Sequence, residues 1–171
     1  MAKFVLDWDS EELFNFRAIG LVSAVRPHRL VFAVNEVFPV SLFRADPDTT
    51  VYISGLACQV PLFRPMDSDP ATDLVLLENY AYHHPVAGDV GLFAQSEEES
   101  DSMEWDRVKL IKNLKQFDYF LLIFGTRTDS QLKEWAKLLR SLEGVVLAEE
   151  ISEIESISGA EVLLEIEPNT T

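Results

Sequence analysis

The sequence is poor in cysteine and in long apolar runs, and each shortage excludes a class of protein. The single cysteine, Cys58, excludes an internal disulfide framework and a multi-cysteine zinc site. The longest apolar run, Phe120–Phe124, is far shorter than the roughly 20 residues that a membrane-spanning helix needs. We therefore expect neither a disulfide-stabilised protein nor one that crosses a membrane.

Positive charge is also scarce, since the 171 residues carry a net charge of −15. Nucleic acids and anionic membrane surfaces both attract clustered Lys and Arg, so this charge argues against either as a partner. It favours a basic protein partner instead. Residues 1–13 contain one lysine, early acids and no long apolar core, so we expect no secretory signal and a cytoplasmic location.

The acidic residues are unevenly distributed. Residues 97–106 hold six acids and no base, and eight further acids follow Arg140 without a single base. Dense like charge with low hydrophobicity is typical of solvated, poorly ordered segments. We predict a single α/β domain at 1–150 with an acidic mobile loop at about 94–106, followed by an acidic C-terminal extension at 151–171. Such segments are either solvated surface or docking segments for a partner.

Apolar periodicity predicts the order of the secondary-structure elements. Helices are predicted from Pro27 to Pro39 and from Asp129 to Gly144, and strands at 14–25, 40–45, 51–65, 73–82, 118–125 and 145–150. The strand–helix–strand stretches 14–45 and 118–150 have the length of crossovers between parallel strands. The predicted fold class is α+β: a two-layer sandwich whose mixed sheet is covered by two main helices, ferredoxin-like or related.

The turn between the buried strand 118–125 and the following helix is a candidate anion site, because helix N-termini attract anions. Arg127, Thr128 and Asp129 lie at this turn, although it contains neither a GxGxxG pattern nor a Walker lysine. The alternative is an ordinary capped helix, since Thr128 and Gln131 have capping-box spacing. Asp118, at the start of the strand, is a candidate ligand-binding carboxylate or a local cap.

Two tryptophans are candidate partner-binding residues. Trp8 and Trp105 both lie among acids, where an aromatic side chain can anchor a partner or fold back onto its own domain. Adjacent His83 and His84 point to opposite faces of an extended segment, so they cannot easily share a metal ion. We predict no metal and no cofactor.

The segment Ile111–Tyr119 resembles the signature of a family of small bacterial proteins, the IPExxxVDY family. Ile111, Asp118 and Tyr119 match the pattern, Phe117 is an apolar replacement, and Lys112 and Asn113 replace its Pro and Glu. The order of elements over roughly residues 1–150 is also similar. The resemblance implies no activity, cofactor or catalytic residue.

The sequence therefore favours a non-enzymatic protein-interaction module, whose partner is another protein or a second copy of the chain. The first alternative is a regulatory domain that binds a small anionic metabolite at a helix N-terminus. The second alternative is an enzyme with an unrecognised site.

Overall fold

The computed structural model describes residues 14–65, 73–83 and 106–166. These residues form an α+β protein with more strands than helices. Its α-helices are α1 (Pro27–Val37) and α2 (Asp129–Arg140). Its strands are β1 (Phe16–Ser23), β2 (Leu42–Arg44), β3 (Thr49–Ile53), β4 (Leu56–Val60), β5 (Leu62–Pro65), β6 (Leu74–Glu78), β7 (Tyr80–His83), β8 (Asp106–Lys109), β9 (Tyr119–Phe124) and β10 (Val145–Glu150).

The strands form two antiparallel sheets. One has six strands in the order β10-β1-β9-β6-β5-β2, and the other has four in the order β3-β4-β7-β8. The predicted mixed sheet is wrong, because each pair of neighbouring strands in the described residues is antiparallel. The crossover through α2 joins two strands of the same direction, but β1 lies between them and pairs with both.

The six-stranded sheet is covered on both faces, so the predicted two-layer sandwich is also wrong. Both α-helices pack on one face, where their apolar residues meet Ile19, Leu121 and Ile123. The opposite face packs against the four-stranded sheet and the C-terminal residues. All six residues of β9 are buried, as expected for a central strand with a layer on each side. These residues build the scaffold.

Local signals define both helices. Pro27 occupies the first turn of α1, and the helix ends at Val37, with Phe38 as its C-cap before Pro39. In α2 the Thr128 hydroxyl accepts a hydrogen bond from the Gln131 amide, while the Gln131 side chain accepts one from the Thr128 amide. This capping box satisfies amide groups that otherwise lack partners at a helix start.

Two chain segments pass directly from one sheet into the other. Only Pro61 separates β4 from β5, and only Asn79 separates β6 from β7. A proline cannot donate to a strand ladder, so it suits the point where pairing changes sheets. The two segments define a bend in the fold, and the candidate site lies beside it.

Asn79 ties this bend to the segment that precedes β9. Its side-chain amide is 2.9 Å from the Leu114 carbonyl oxygen and 3.1 Å from that of Phe117. Its side-chain oxygen accepts a hydrogen bond of 2.8 Å from the Ile111 amide. The residue is completely buried, so it satisfies backbone groups that water cannot reach.

The C-terminal residues 151–166 pack on the core opposite the α-helices. Ile154, Val162 and Leu163 are buried there, and residues Ala160–Glu165 form a 3-10 helix. Among the described residues, no helix has the length and hydropathy needed to cross a membrane.

Candidate functional site

The residues of the predicted anion site lie at the start of α2. The Thr128 hydroxyl caps this helix, and Asp129 accepts a hydrogen bond of 3.1 Å from Arg17, which also pairs with Glu150. The Arg127 guanidinium lies 5.7 Å from the centre of the Trp135 ring and donates to the Thr126 carbonyl. These contacts supply a structural role, and ligand binding there stays a prediction.

Asp118 lies at the other end of β9 from Arg127, so the structure does not bring the two together. A side-chain oxygen of Asp118 accepts a hydrogen bond of 3.0 Å from the Ser23 amide. The adjacent Tyr119 hydroxyl donates one of 2.7 Å to the Val25 carbonyl. Both residues therefore fasten the end of β1 and the start of α1 to β9.

Tyr119 makes the stability of the protein sensitive to alkaline pH. Burial, with smaller effects from the Glu78 and Asp118 charges, raises the pKa of Tyr119 to about 12. The unfolded chain loses this proton first, so the stabilising contribution is complete below about pH 10 and is lost as the pH rises towards 12.

We expect wild-type protein to lose on the order of 1 kcal/mol of unfolding free energy between about pH 10 and 11 that Tyr119→Phe does not lose. Urea denaturation at both pH values measures the difference. Replacement of the exposed Tyr52 by Phe is the control and is expected to keep the wild-type dependence. An identical slope in Tyr119→Phe would contradict the assignment.

The remaining predicted positions provide little or no evidence for a functional site. Trp8, Trp105 and all of the acidic loop except Asp106 lie outside the described residues. A ring nitrogen of His83 lies 3.1 Å from the Ala57 carbonyl oxygen, while His84 falls outside the description. Within the described ranges no three metal-binding side chains come together. Cys58 is buried, and burial raises the pKa of its thiol, as for an inert core cysteine.

A cavity of about 420 Å³ lies at the bend, and we call it the bend pocket. It is lined by Arg44, Asp48, Gln59, Pro61, Glu78 and Tyr82. Strand alternation explains its composition. Leu77, Asn79 and Ala81 are completely buried in the interior, so Glu78, Tyr80 and Tyr82 project to the other side.

Glu78 is the unusual group in this pocket, because its carboxylate is ionisable and only 8% of the residue is exposed. Burial raises the pKa of Glu78, and the positive charges of Arg107 and Arg44 oppose this rise only in part. The Arg107 guanidinium nitrogen is 3.4 Å from the carboxylate oxygen. This distance exceeds the usual 2.7–2.9 Å of a charge-assisted hydrogen bond, so Glu78 retains capacity for another donor.

The other polar residues of the pocket have partners or stay uncharged. Arg44 donates to both carboxylate oxygens of Asp48, with distances of 2.8 and 3.1 Å from one guanidinium nitrogen. Gln59 donates to the Thr50 hydroxyl at 3.0 Å. Burial and the charge of Glu78 raise the pKa of Tyr82, so its hydroxyl stays protonated at neutral pH. The lining residues together hold two acids against one base.

A second feature adjoins the pocket on β7 and β8. The guanidinium carbon of Arg107 lies 3.5 Å from the centre of the Tyr80 ring, and the Lys109 ammonium lies 3.9 Å from it. Cations are attracted to the faces of aromatic rings. Lys109 also donates to the Phe117 carbonyl at 3.2 Å, whereas Arg107 reaches Glu78.

Two other cavities in the described part of the chain are larger, but neither contains a buried charge. One of about 460 Å³ lies between Tyr52 and Glu161, with the half-buried Lys109 and the exposed Lys112, Glu161 and Glu165 in its lining. Another of about 700 Å³ lies between α1 and the residues after α2, beside the exposed Phe32. The bend pocket is the better candidate, because a buried ionisable group in a cleft is a common mark of a functional site.

The sequence contained only a weak signal for this pocket. In the segment Leu74–Glu78, four apolar residues are followed by one carboxylate, and this pattern predicts only a strand. Arg44 and Asp48 are separated from Glu78 by at least 30 residues, and no local pattern joins them. The fold is α+β, and the pocket brings polar side chains from distant strands together. No protein-family model, curated protein or solved structure matches the chain.

Proposed function

We propose that this protein is a non-catalytic interaction module that binds a cationic side chain of a protein partner in the bend pocket. The observation that carries the proposal is the Glu78 carboxylate, which lines an open cavity yet has a single long hydrogen bond from a side chain within the described residues. A buried carboxylate without full compensation is costly, so a partner that supplies hydrogen-bond donors and positive charge is stabilised there.

The charge of the whole chain supports the same class of partner. With a net charge of −15, the protein attracts basic surfaces over a distance and repels nucleic acids and anionic membranes. A second copy of the chain shares this acidic character, so a basic protein is the better partner. We propose that this encounter takes place in the cytoplasm.

Binding is expected to strengthen as the pH rises. A cation binds the ionised carboxylate, and burial has raised the pKa of free Glu78. Affinity is therefore low below that pKa, rises through it and becomes constant above it. The charged and titratable groups facing Glu78 are Arg107 and Arg44, with Tyr82 and Tyr119 close enough for their pKa values to be raised by its charge.

Replacing Glu78 by Gln tests the proposal. A hydrogen bond to a charged group contributes about 1.5–3 kcal/mol, so the change is expected to weaken binding about tenfold to hundredfold. The probe is the tripeptide acetyl-Ala-Arg-Ala-amide, and calorimetry measures the dissociation constant. The matched control is Glu149→Gln, which removes an exposed acid from β10 and is expected to change the affinity less than twofold.

The same variant separates a functional role from a structural one. Since burial raises the pKa of Glu78, its ionised form destabilises the fold at neutral pH, and Glu78→Gln is expected to raise the melting temperature. Equal peptide affinities for Glu78→Gln and Glu149→Gln would contradict the pocket. Equal wild-type affinities for agmatine and the peptide would contradict a protein partner and indicate a free guanidinium compound.

A second candidate is an anionic-metabolite regulatory domain that binds its ligand at Arg127, Thr128 and Asp129, whereas Asp118, the fourth predicted ligand-binding residue, lies at the other end of β9. The dipole of α2 and the Arg127 charge support it. The capping box is evidence against this candidate, because the Gln131 amide already donates to the Thr128 hydroxyl and is not available to an anion. An enzyme is the third candidate, supported by the raised pKa of Glu78, since buried carboxylates also act as general acids and bases.

We also propose that the chain is a divergent member of the IPExxxVDY family, on the matches at Ile111, Asp118 and Tyr119. A ferredoxin-like origin of the six-stranded sheet is a related proposal. The strand order β10-β1-β9-β6, with a helix after β1 and another after β9, supports it.

A further inference from the structure

Arg107 contacts Glu78 in the way that we expect for a partner's cationic side chain in the bend pocket. Its guanidinium stacks on the Tyr80 ring at 3.5 Å and points one nitrogen at the Glu78 carboxylate, 3.4 Å away. Arginine suits this arrangement better than lysine, because its planar group stacks on aromatic rings, is weakly hydrated and donates in two directions. The neighbouring Lys109 ammonium instead donates to a backbone carbonyl.

The position of Arg107 also allows its side chain to move away from Glu78. Its side chain is 50% exposed, whereas the Glu78 side chain is 10% exposed. Its strand, β8, lies at the edge of the four-stranded sheet. Moving a half-exposed guanidinium into water costs little free energy. The movement leaves the buried Glu78 carboxylate available, so that a new hydrogen-bond donor can bind it.

We infer that Arg107 is an intramolecular competitor, which occupies Glu78 in the free protein and is displaced by an arginine side chain of the partner. This inference rests on the proposed function and adds to it both the guanidinium class of the ligand and a regulatory contact. The incoming guanidinium exchanges a long hydrogen bond for a shorter one and meets the Tyr82 ring at the pocket wall. An ammonium gains less, because it has no planar face to stack.

Arg107→Met tests the competitor, with Lys109→Met as the matched control. Both substitutions remove one positive charge from the same Tyr80 ring, but only Arg107 contacts Glu78. Affinities for acetyl-Ala-Arg-Ala-amide and acetyl-Ala-Lys-Ala-amide are measured by calorimetry over a series of pH values. The proteins are compared on the plateau where the affinity of each no longer rises with pH. Arg107→Met is expected to bind the arginine peptide about threefold to tenfold more tightly than wild type, and Lys109→Met within about twofold of it.

A gain for Arg107→Met no larger than that for Lys109→Met, with wild-type binding intact, would overturn the inference and leave the proposed function standing. A preference of the wild type for the lysine peptide would overturn the guanidinium assignment. If wild type and both variants bind neither peptide, the proposed function itself fails. Arg107→Lys, which retains the charge but not the planar group, is a second variant and is expected to fall between wild type and Arg107→Met.

Discussion

Replacing Asn79 by Ala is expected to lower the free energy of unfolding by about 3–5 kcal/mol, enough to unfold a marginally stable domain. The substitution removes an amide and an oxygen that together bond Leu114, Phe117 and Ile111. The Ile111 amide is left unpaired in the interior, at a cost of about 1–3 kcal/mol. The Leu114 and Phe117 carbonyls keep the Phe117 amide and the Lys109 ammonium as donors, so each lost hydrogen bond there costs about 1 kcal/mol. Because Asn79 is completely buried, water cannot replace these hydrogen bonds without opening the bend.

Asn35→Ala is the matched control for this prediction. The Asn35 side chain also makes two hydrogen bonds to backbone groups, both on Leu42, at 2.9 and 3.1 Å. Since Asn35 is half-buried, water can reach the freed groups, and we expect a loss of only about 1 kcal/mol. Urea denaturation of both variants measures the difference. A loss in Asn79→Ala no greater than that in Asn35→Ala would show that the bend does not depend on Asn79.

Gly144→Ala is expected to lower the free energy of unfolding by about 2–4 kcal/mol, through two separate effects. The backbone φ of Gly144 is +80°, a conformation that a side chain disfavours. An added Cβ would also lie 2.0 Å from a methyl carbon of Val25. The Val25 backbone cannot retreat easily, because its amide donates to the Ser23 hydroxyl and its carbonyl accepts from Tyr119. Relief of the contact therefore requires rotation of the Val25 side chain, which is stiff because it is branched at Cβ.

The two effects can be separated with variants of the same chain. Gly159 has φ +92° and no atom within 4 Å of an added Cβ, so Gly159→Ala measures the conformational cost alone, about 1 kcal/mol. Combining Gly144→Ala with Val25→Ala is expected to remove most of the clash, although Val25→Ala carries its own packing loss and must be measured alone. Thermal or urea denaturation gives each value. Equal losses for Gly144→Ala and Gly159→Ala would contradict the close contact.

The central scaffold could be predicted from sequence because its signals are local. Six successive apolar or aromatic residues from Tyr119 to Phe124 leave no polar face, so the strand had to be buried on both sides. Pro27 and Pro39 bracket α1, and the pair Thr128 and Gln131 starts α2. Each of these features depends on residues that are close together in the sequence.

Strand pairing depends on contacts between distant residues, which local sequence patterns do not show. Two strand–helix–strand units suggested parallel neighbours, but β1 inserts between β9 and β10 and makes both pairs antiparallel. The second sheet arises because the chain bends at Pro61 and Asn79 instead of turning back. Hydrophobic alternation is the same in parallel and antiparallel sheets that are covered on both faces, so it could not distinguish them.

By itself the sequence determined the α+β class, the buried central strand, both helices and an acidic character that favours a basic partner. Only the tertiary structure decided that the sheets are antiparallel and that Glu78 lies beside Arg44, Asp48 and Tyr82 in one cavity. The reason is physical. Propensity, capping and periodicity act between residues close in the chain, whereas burial of a carboxylate depends on which distant strands enclose it.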